Sequence, residues 1–140
     1  MVESVVGRRF VVPAGAVTAV RVAVAAVWAY EGLWCKVLGG APGQRAIIAS
    51  LPGLPGGLVT TVLVGFGLLE LLLALWVLSG VRARLAAYAQ LVVLVAANGG
   101  GLLVAGDRIA DPGLLLTQNA VLLAAAWLVG RTGQEGAGHA

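Results

Sequence analysis

Four apolar stretches, each long enough to cross a membrane, determine what this chain can fold into. In the 140-residue sequence they cover residues 13–38, 58–79, 85–105 and 112–130. A bilayer core about 30 Å thick needs about 20 apolar residues in an α-helix. Because 60% of the residues are hydrophobic and only 11% are charged, a soluble globular class is excluded. We therefore predict an all-α membrane protein, one domain of four transmembrane helices in an up-down bundle.

The basic residues are unequally divided between the two ends of this predicted bundle. One end carries five of them, Arg8, Arg9, Arg82, Arg84 and Arg131. The other end carries three, Lys36, Arg45 and Arg108. Loops rich in Lys and Arg stay in the cytoplasm, so both termini are expected there.

The segments between and beyond the stretches follow from that orientation. Residues 1–12 form a cytoplasmic lead with the pattern of an interfacial helix, and residues 132–140 form a polar tail. Residues 39–57 form an outer loop whose centre, 44–50, has room for one or two helical turns. Asp111 followed by Pro112 predicts a helix start, with Asp as the cap and Pro at the first helical position.

Polar side chains inside the apolar stretches are the candidate functional residues. At about 1.5 Å per residue, the two acids and two amides all lie about 15 to 21 Å from the cytoplasmic end. With one arginine and one tryptophan on the same helical faces, they form a predicted polar cluster of Arg21, Trp28, Glu31, Glu70, Asn98 and Asn119. A carboxylate in hydrocarbon is costly unless it is paired. The same residues could also serve only to hydrogen-bond the helices together.

Specific contacts follow from this arrangement. Arg21 is expected to be the cationic partner of Glu70, and Arg21 and Lys36 are expected to extend towards opposite membrane surfaces. Three consecutive glycines after Asn98 indicate either close helix packing, the favoured interpretation, or a break that lines a cavity. Cys35 is the only cysteine, which excludes an intrachain disulfide and a multi-cysteine metal site. No catalytic residue and no metal site is predicted.

Three segments resemble the DoxX-like family of small four-helix bacterial membrane proteins. Arg21 followed by the run from Tyr30 to Lys36 resembles the family's first helix, and Gly67–Leu73 with Gly80 resembles its second. Asp111-Pro112-Gly113 through Asn119 resembles the start of its last helix, so the resemblance covers about residues 17–130. It implies a multi-pass protein of the bacterial inner membrane. Some members are subunits of thiosulfate:quinone oxidoreductase or partners in redox-stress complexes.

The expected function is therefore that of an accessory subunit in a larger complex linked to quinones or redox chemistry. The expected partners are other integral-membrane subunits and the lipid bilayer, not nucleic acid. The chain would have no cofactor of its own, but the polar cluster could hold a quinone or a lipid. The alternative is a proton-coupled transporter of the small-multidrug-exporter type, which also has four spans and a glutamate in the first. A third possibility is a stand-alone enzyme with Glu31 and Glu70 as proton carriers.

The orientation is testable with reporter fusions. Fluorescent-protein fusions at residue 140 should be fluorescent, and phosphatase fusions within residues 41–57 should be active, because the five-to-three charge bias retains both termini in the cytoplasm. The opposite pattern at both positions would contradict the predicted orientation.

Overall fold

A computed structural model describes residues 12–132. Within that range four helices are long and apolar enough to cross a membrane, and a short helix lies in the loop between the first two. In chain order they are α1 Ala14–Val37, α2 Pro42–Ala49, α3 Gly56–Ser79, α4 Ala83–Arg108 and α5 Pro112–Thr132. The all-α transmembrane architecture is confirmed. The predicted lead up to residue 11 and the tail beyond residue 132 lie outside the described residues.

Two of the long helices change their winding part of the way along. The regular part of α1 ends at Ala29, and Tyr30–Val37 continues in wider π-helical turns. In α4 the corresponding change is at Val95–Gly99. Short π-helical segments inside α-helices often occur at functional sites. We call the end of the bundle that carries α2 the loop end, and the opposite end the termini end.

Local sequence signals fix where the helices begin and turn. The Asp111 carboxylate accepts a hydrogen bond of 2.8 Å from the backbone N–H of Leu114, so the predicted start of α5 is confirmed. Gly80 ends α3 with a left-handed φ of 71°, a conformation that favours glycine. The Trp76 indole donates to the Val81 carbonyl at 2.8 Å, which fastens the short turn into α4.

The core lies between the four long helices, while their outer faces carry large apolar side chains. One cluster of buried residues joins three helices: Val24, Ala25, Trp28, Leu73, Ala74, Val77, Ala86 and Leu94. Leu122 and Leu123 of α5 pack against it. Outward-facing residues such as Leu72, Val92 and Leu103 are 67%, 66% and 90% exposed. A hydrocarbon surrounding accommodates such a surface, because lipid tails are as apolar as leucine.

Two helices are in backbone contact at Gly32 of α1 and Gly67 of α3. A Cβ placed on Gly32 would be 2.5 Å from the carbonyl oxygen of Gly67, and one on Gly67 would be 2.7 Å from that of Gly32. Small residues permit such contact between membrane helices. The close packing favoured for the three glycines after Asn98 is wrong. A Cβ on Gly99 or Gly100 would have no neighbour within 4 Å, and one on Gly101 would make only an ordinary contact of 3.8 Å with Ile47 of α2.

The importance of this crossing can be measured with two matched substitutions in α3. Gly67→Ala and Gly65→Ala gain the same helix propensity, about 1 kcal/mol, but a Cβ at Gly65 would have nothing within 4 Å. Because Gly67→Ala must separate α1 from α3, we expect it to lower thermal stability by about 1–3 kcal/mol relative to Gly65→Ala. Thermal unfolding in mild detergent measures the difference, and equal stabilities would refute the close crossing.

Candidate functional site

Beside the Gly32–Gly67 crossing, a lysine of α1 and a glutamate of α3 form an ion pair. Lys36 Nζ lies 2.7 Å from Glu70 Oε2, and the two side chains are 13% and 5% exposed. Removing a carboxylate from water is unfavourable unless an opposite charge compensates it. The lysine ammonium supplies that compensation, so Glu70 is paired between the two helices.

A second carboxylate shares the same lysine. Glu31 Oε2 lies 3.5 Å from Lys36 Nζ, and the Glu31 side chain is 38% exposed. Residues five apart point in different directions on a regular α-helix, but hydrogen bonds between residues five apart define the π-helix. The bond of 2.8 Å from the Leu38 N–H to the Leu33 carbonyl has this spacing. The wider turns of α1 therefore bring Glu31 and Lys36 to one face.

The short helix α2 covers the charged residues from the loop end. Gln44 Nε2 donates a hydrogen bond of 2.8 Å to Glu31 Oε2. The neighbouring Arg45 donates through Nη1 to Thr60 Oγ1 at 2.9 Å. Gln44 Oε1 is buried and has no hydrogen-bond partner among the described residues. We call Glu31, Lys36, Gln44 and Glu70 the charged cluster.

The charged cluster can bind a cation or a hydrogen-bond donor. Its two carboxylates and one ammonium give a formal charge of −1, and carboxylate oxygens accept hydrogen bonds. Glu70 is buried and Glu31 is partly exposed, which makes Glu31 the more accessible group. Within residues 12–132 no three His, Cys, Asp or Glu side chains lie close enough to hold a metal ion.

The expected pairing of Arg21 with Glu70 is wrong, and so is the expected outward extension of Lys36. The Arg21 guanidinium lies at the termini end, where Nη1 would be 2.8 Å from a Cβ on Gly80. Side chains on a helix lean towards its N-terminus. Lys36, at the end of α1, therefore leans inwards to Glu70, while Arg21, near the start of α1, leans away from it.

Trp28 contacts a residue that the sequence analysis did not select. Its indole Nε1 donates a hydrogen bond of 2.8 Å to Gln90 Oε1, and both residues are 2% exposed. Gln90 Nε2 donates in turn to the Ala86 carbonyl at 3.2 Å. This pair ties α1 to α4 in the core. Gln90 could have been selected from the sequence, because it is an amide inside the third apolar stretch, as Asn98 is.

The two asparagines of the predicted cluster do not join it. Asn98 and Asn119 are both half-buried, and neither side chain makes a hydrogen bond within residues 12–132. The structure thus brings Glu31 and Glu70 together through Lys36, places Trp28 on Gln90, and leaves Arg21 at the other end of the bundle.

Four long apolar helices and a charged cluster held between two of them define a small multi-pass membrane protein. Residues 25–127 match the sequence model of the DoxX-like family. That match covers most of the 140 residues, and the chain therefore belongs to the DoxX-like family. Comparison with curated proteins and with solved structures gave no match.

The ion pair predicts a specific pattern of stabilities. Removing one partner of a buried pair costs about 3–5 kcal/mol because the other charge is left alone. Lys36→Met and Glu70→Ala should each lower folded yield and melting temperature strongly, and Glu70→Gln should lower them less because it can still accept a hydrogen bond. The double variant Lys36→Met/Glu70→Gln should recover part of the loss caused by Lys36→Met.

Fluorescence-detected size-exclusion chromatography and thermal unfolding measure these effects. Arg21→Gln is the matched control. Because Arg21 does not pair with Glu70, the loss of stability caused by Arg21→Gln should simply add to the loss caused by Glu70→Gln. Strict additivity of Lys36→Met and Glu70→Gln, or coupling of Glu70 to Arg21, would contradict the pairing.

Proposed function

We propose that this protein is an accessory subunit of a quinone-linked or redox-linked complex in the bacterial inner membrane, without covalent chemistry of its own. The observation that carries the proposal is the Lys36 ammonium between two carboxylates, 2.7 Å from Glu70 and 3.5 Å from Glu31. A proton-coupled exporter needs a membrane carboxylate that becomes free to exchange protons and substrate. A lysine fixed beside both acids favours a holding role instead.

The charged cluster also has groups that suit a quinol headgroup. The carboxylate of Glu31 is partly exposed and accepts hydrogen bonds, and the buried Gln44 Oε1 lacks a donor among the described residues. A buried acceptor without a partner is costly, and a quinol hydroxyl is a donor of suitable chemistry. In this proposal Glu31 and Gln44 hold the headgroup, while the ion pair with Lys36 holds the Glu31 carboxylate in place.

The surface of the bundle suits assembly with other membrane subunits. Each long helix exposes large apolar side chains, among them Val22 of α1, Leu75 of α3, Val95 of α4 and Val121 of α5. Lipid and the apolar helices of a partner can both cover such faces. The partner would supply the redox centre, since the chain's own proposed contribution is to bind and orient.

Purification in a mild detergent tests the proposal. The tagged wild-type protein should co-elute with at least one redox subunit, identified by mass spectrometry, and with bound quinone, measured by solvent extraction and chromatography. Glu31→Ala should lose most of the quinone but retain the partner, because Glu31 contacts Lys36 and Gln44 of its own chain, whereas the partner would cover the outer apolar faces.

Gln118→Ala provides a control for the quinone, since Gln118 is an exposed amide on α5 outside the charged cluster and should leave the bound quinone unchanged. A protein that elutes only as a monomer or homodimer, and that drives substrate uptake by a pH gradient in proteoliposomes, would refute the subunit proposal in favour of the transporter.

A further inference from the structure

A cavity of about 200 Å³ lies beside the charged cluster, between the end of α1, the helix α2 and the start of α3. Its polar walls come from Lys36, Arg45 and Thr60, and its apolar walls include Val37, Leu63 and Val64. Two of the lining residues are basic and none is acidic. Lys36 is the one member of the charged cluster that lines the cavity, and the proposed quinol contacts, Glu31 and Gln44, do not line it.

Arg45 carries the net positive charge of the cavity. The charge of Lys36 is compensated by Glu31 and Glu70, whereas the hydrogen bond of Arg45 is to the neutral hydroxyl of Thr60, at 2.9 Å. A guanidinium presents five N–H donors in a planar fork. Thr60 takes one of them and holds the group at the cavity, so further donors remain for a ligand. This geometry matches the oxygens of a phosphate.

The apolar walls continue from this polar mouth into the transmembrane part of the bundle. Thr60 is in the first turns of α3, and Leu63 and Val64 follow one turn further towards the centre of the helix. In a bilayer, the cavity therefore lies where headgroups meet hydrocarbon. A lipid with its phosphate at Arg45 would place its acyl chains along Leu63 and Val64.

We propose that this cavity binds the phosphate headgroup of an anionic phospholipid from the surrounding bilayer. Arg45 binds the phosphate, Thr60 positions Arg45, and the apolar wall accommodates the upper part of an acyl chain. A free phosphate monoester has the same polar chemistry, but it has no apolar portion for Leu63 and Val64. The lipid is thus the ligand that uses both halves of the cavity.

The test compares defined ligands on the delipidated protein in a neutral detergent. Phosphatidylglycerol should raise the melting temperature by several degrees and appear as a bound adduct in native mass spectrometry. Phosphatidylcholine, which has no net charge, should give a much smaller shift, and glycerol 3-phosphate, which has no acyl chains, should give none. An equal shift with phosphatidylcholine or with glycerol 3-phosphate would refute an anionic lipid as the ligand.

Variants identify the residues responsible. Arg45→Gln should abolish the rise in melting temperature that phosphatidylglycerol causes. Thr60→Val should reduce the affinity of the protein for phosphatidylglycerol several-fold. Arg108→Gln is the matched control, an exposed arginine at the same end of the bundle, and should keep the full shift. The measurement needs neither quinone nor a partner subunit, which separates this inference from the proposed function.

Melting temperatures without lipid show whether each variant is folded. If Arg45→Gln does not fold, Thr60→Val decides the question, because its side chain differs only by a methyl group in place of the hydroxyl. Unchanged phosphatidylglycerol affinity in folded Arg45→Gln or in Thr60→Val would overturn the proposal.

Discussion

The ion pair between Lys36 and Glu70 is the interaction on which the rest of the structure depends. It joins the two charges at 2.7 Å in an almost fully buried position, where little water screens their attraction. The Gly32–Gly67 crossing contributes to that burial, because the two helices are in backbone contact directly beside the pair. The π-helical turns of α1 then bring Glu31 to the same lysine. Close packing, helix winding and charge compensation therefore support one another at a single point.

The sequence was sufficient for the features that depend on local signals. Apolar length determined the four helices, and the Asp111 cap was correctly predicted. The partner of Glu70 was not, because Lys36 was expected to extend outwards to the membrane surface, which left Arg21 as the expected cation. The tilt of helical side chains towards the N-terminus decides between them. It directs Lys36 into the bundle, and it directs Glu70, whose helix runs in the opposite sense, towards Lys36. Applying that rule to the sequence would have identified the pair.

The asparagines show why a common depth does not ensure contact. Their predicted faces assumed a constant 100° per residue along each helix. In α4 the wider turns at Val95–Gly99 change the rotation just where Asn98 lies. Gln90, in the regular part of the same helix, reaches the core and binds Trp28. Sequence patterns do not locate π-helical turns, so Asn98 could not be assigned to a face. Asn119 lies in the regular helix α5, where a shared depth alone did not bring it to the other polar residues.

The helix α2 links the two proposed binding sites through adjacent residues. It has no fully buried residue, and its side-chain hydrogen bonds to the long helices, within residues 12–132, are those of Gln44 to Glu31 and of Arg45 to Thr60. A lipid phosphate that immobilises Arg45 would also restrain Gln44, because both belong to one two-turn helix. Holding Gln44 in place lowers the cost of ordering a headgroup at Glu31. Coupling between two sites is reciprocal, so a quinol bound at Glu31 would in turn strengthen lipid binding at Arg45.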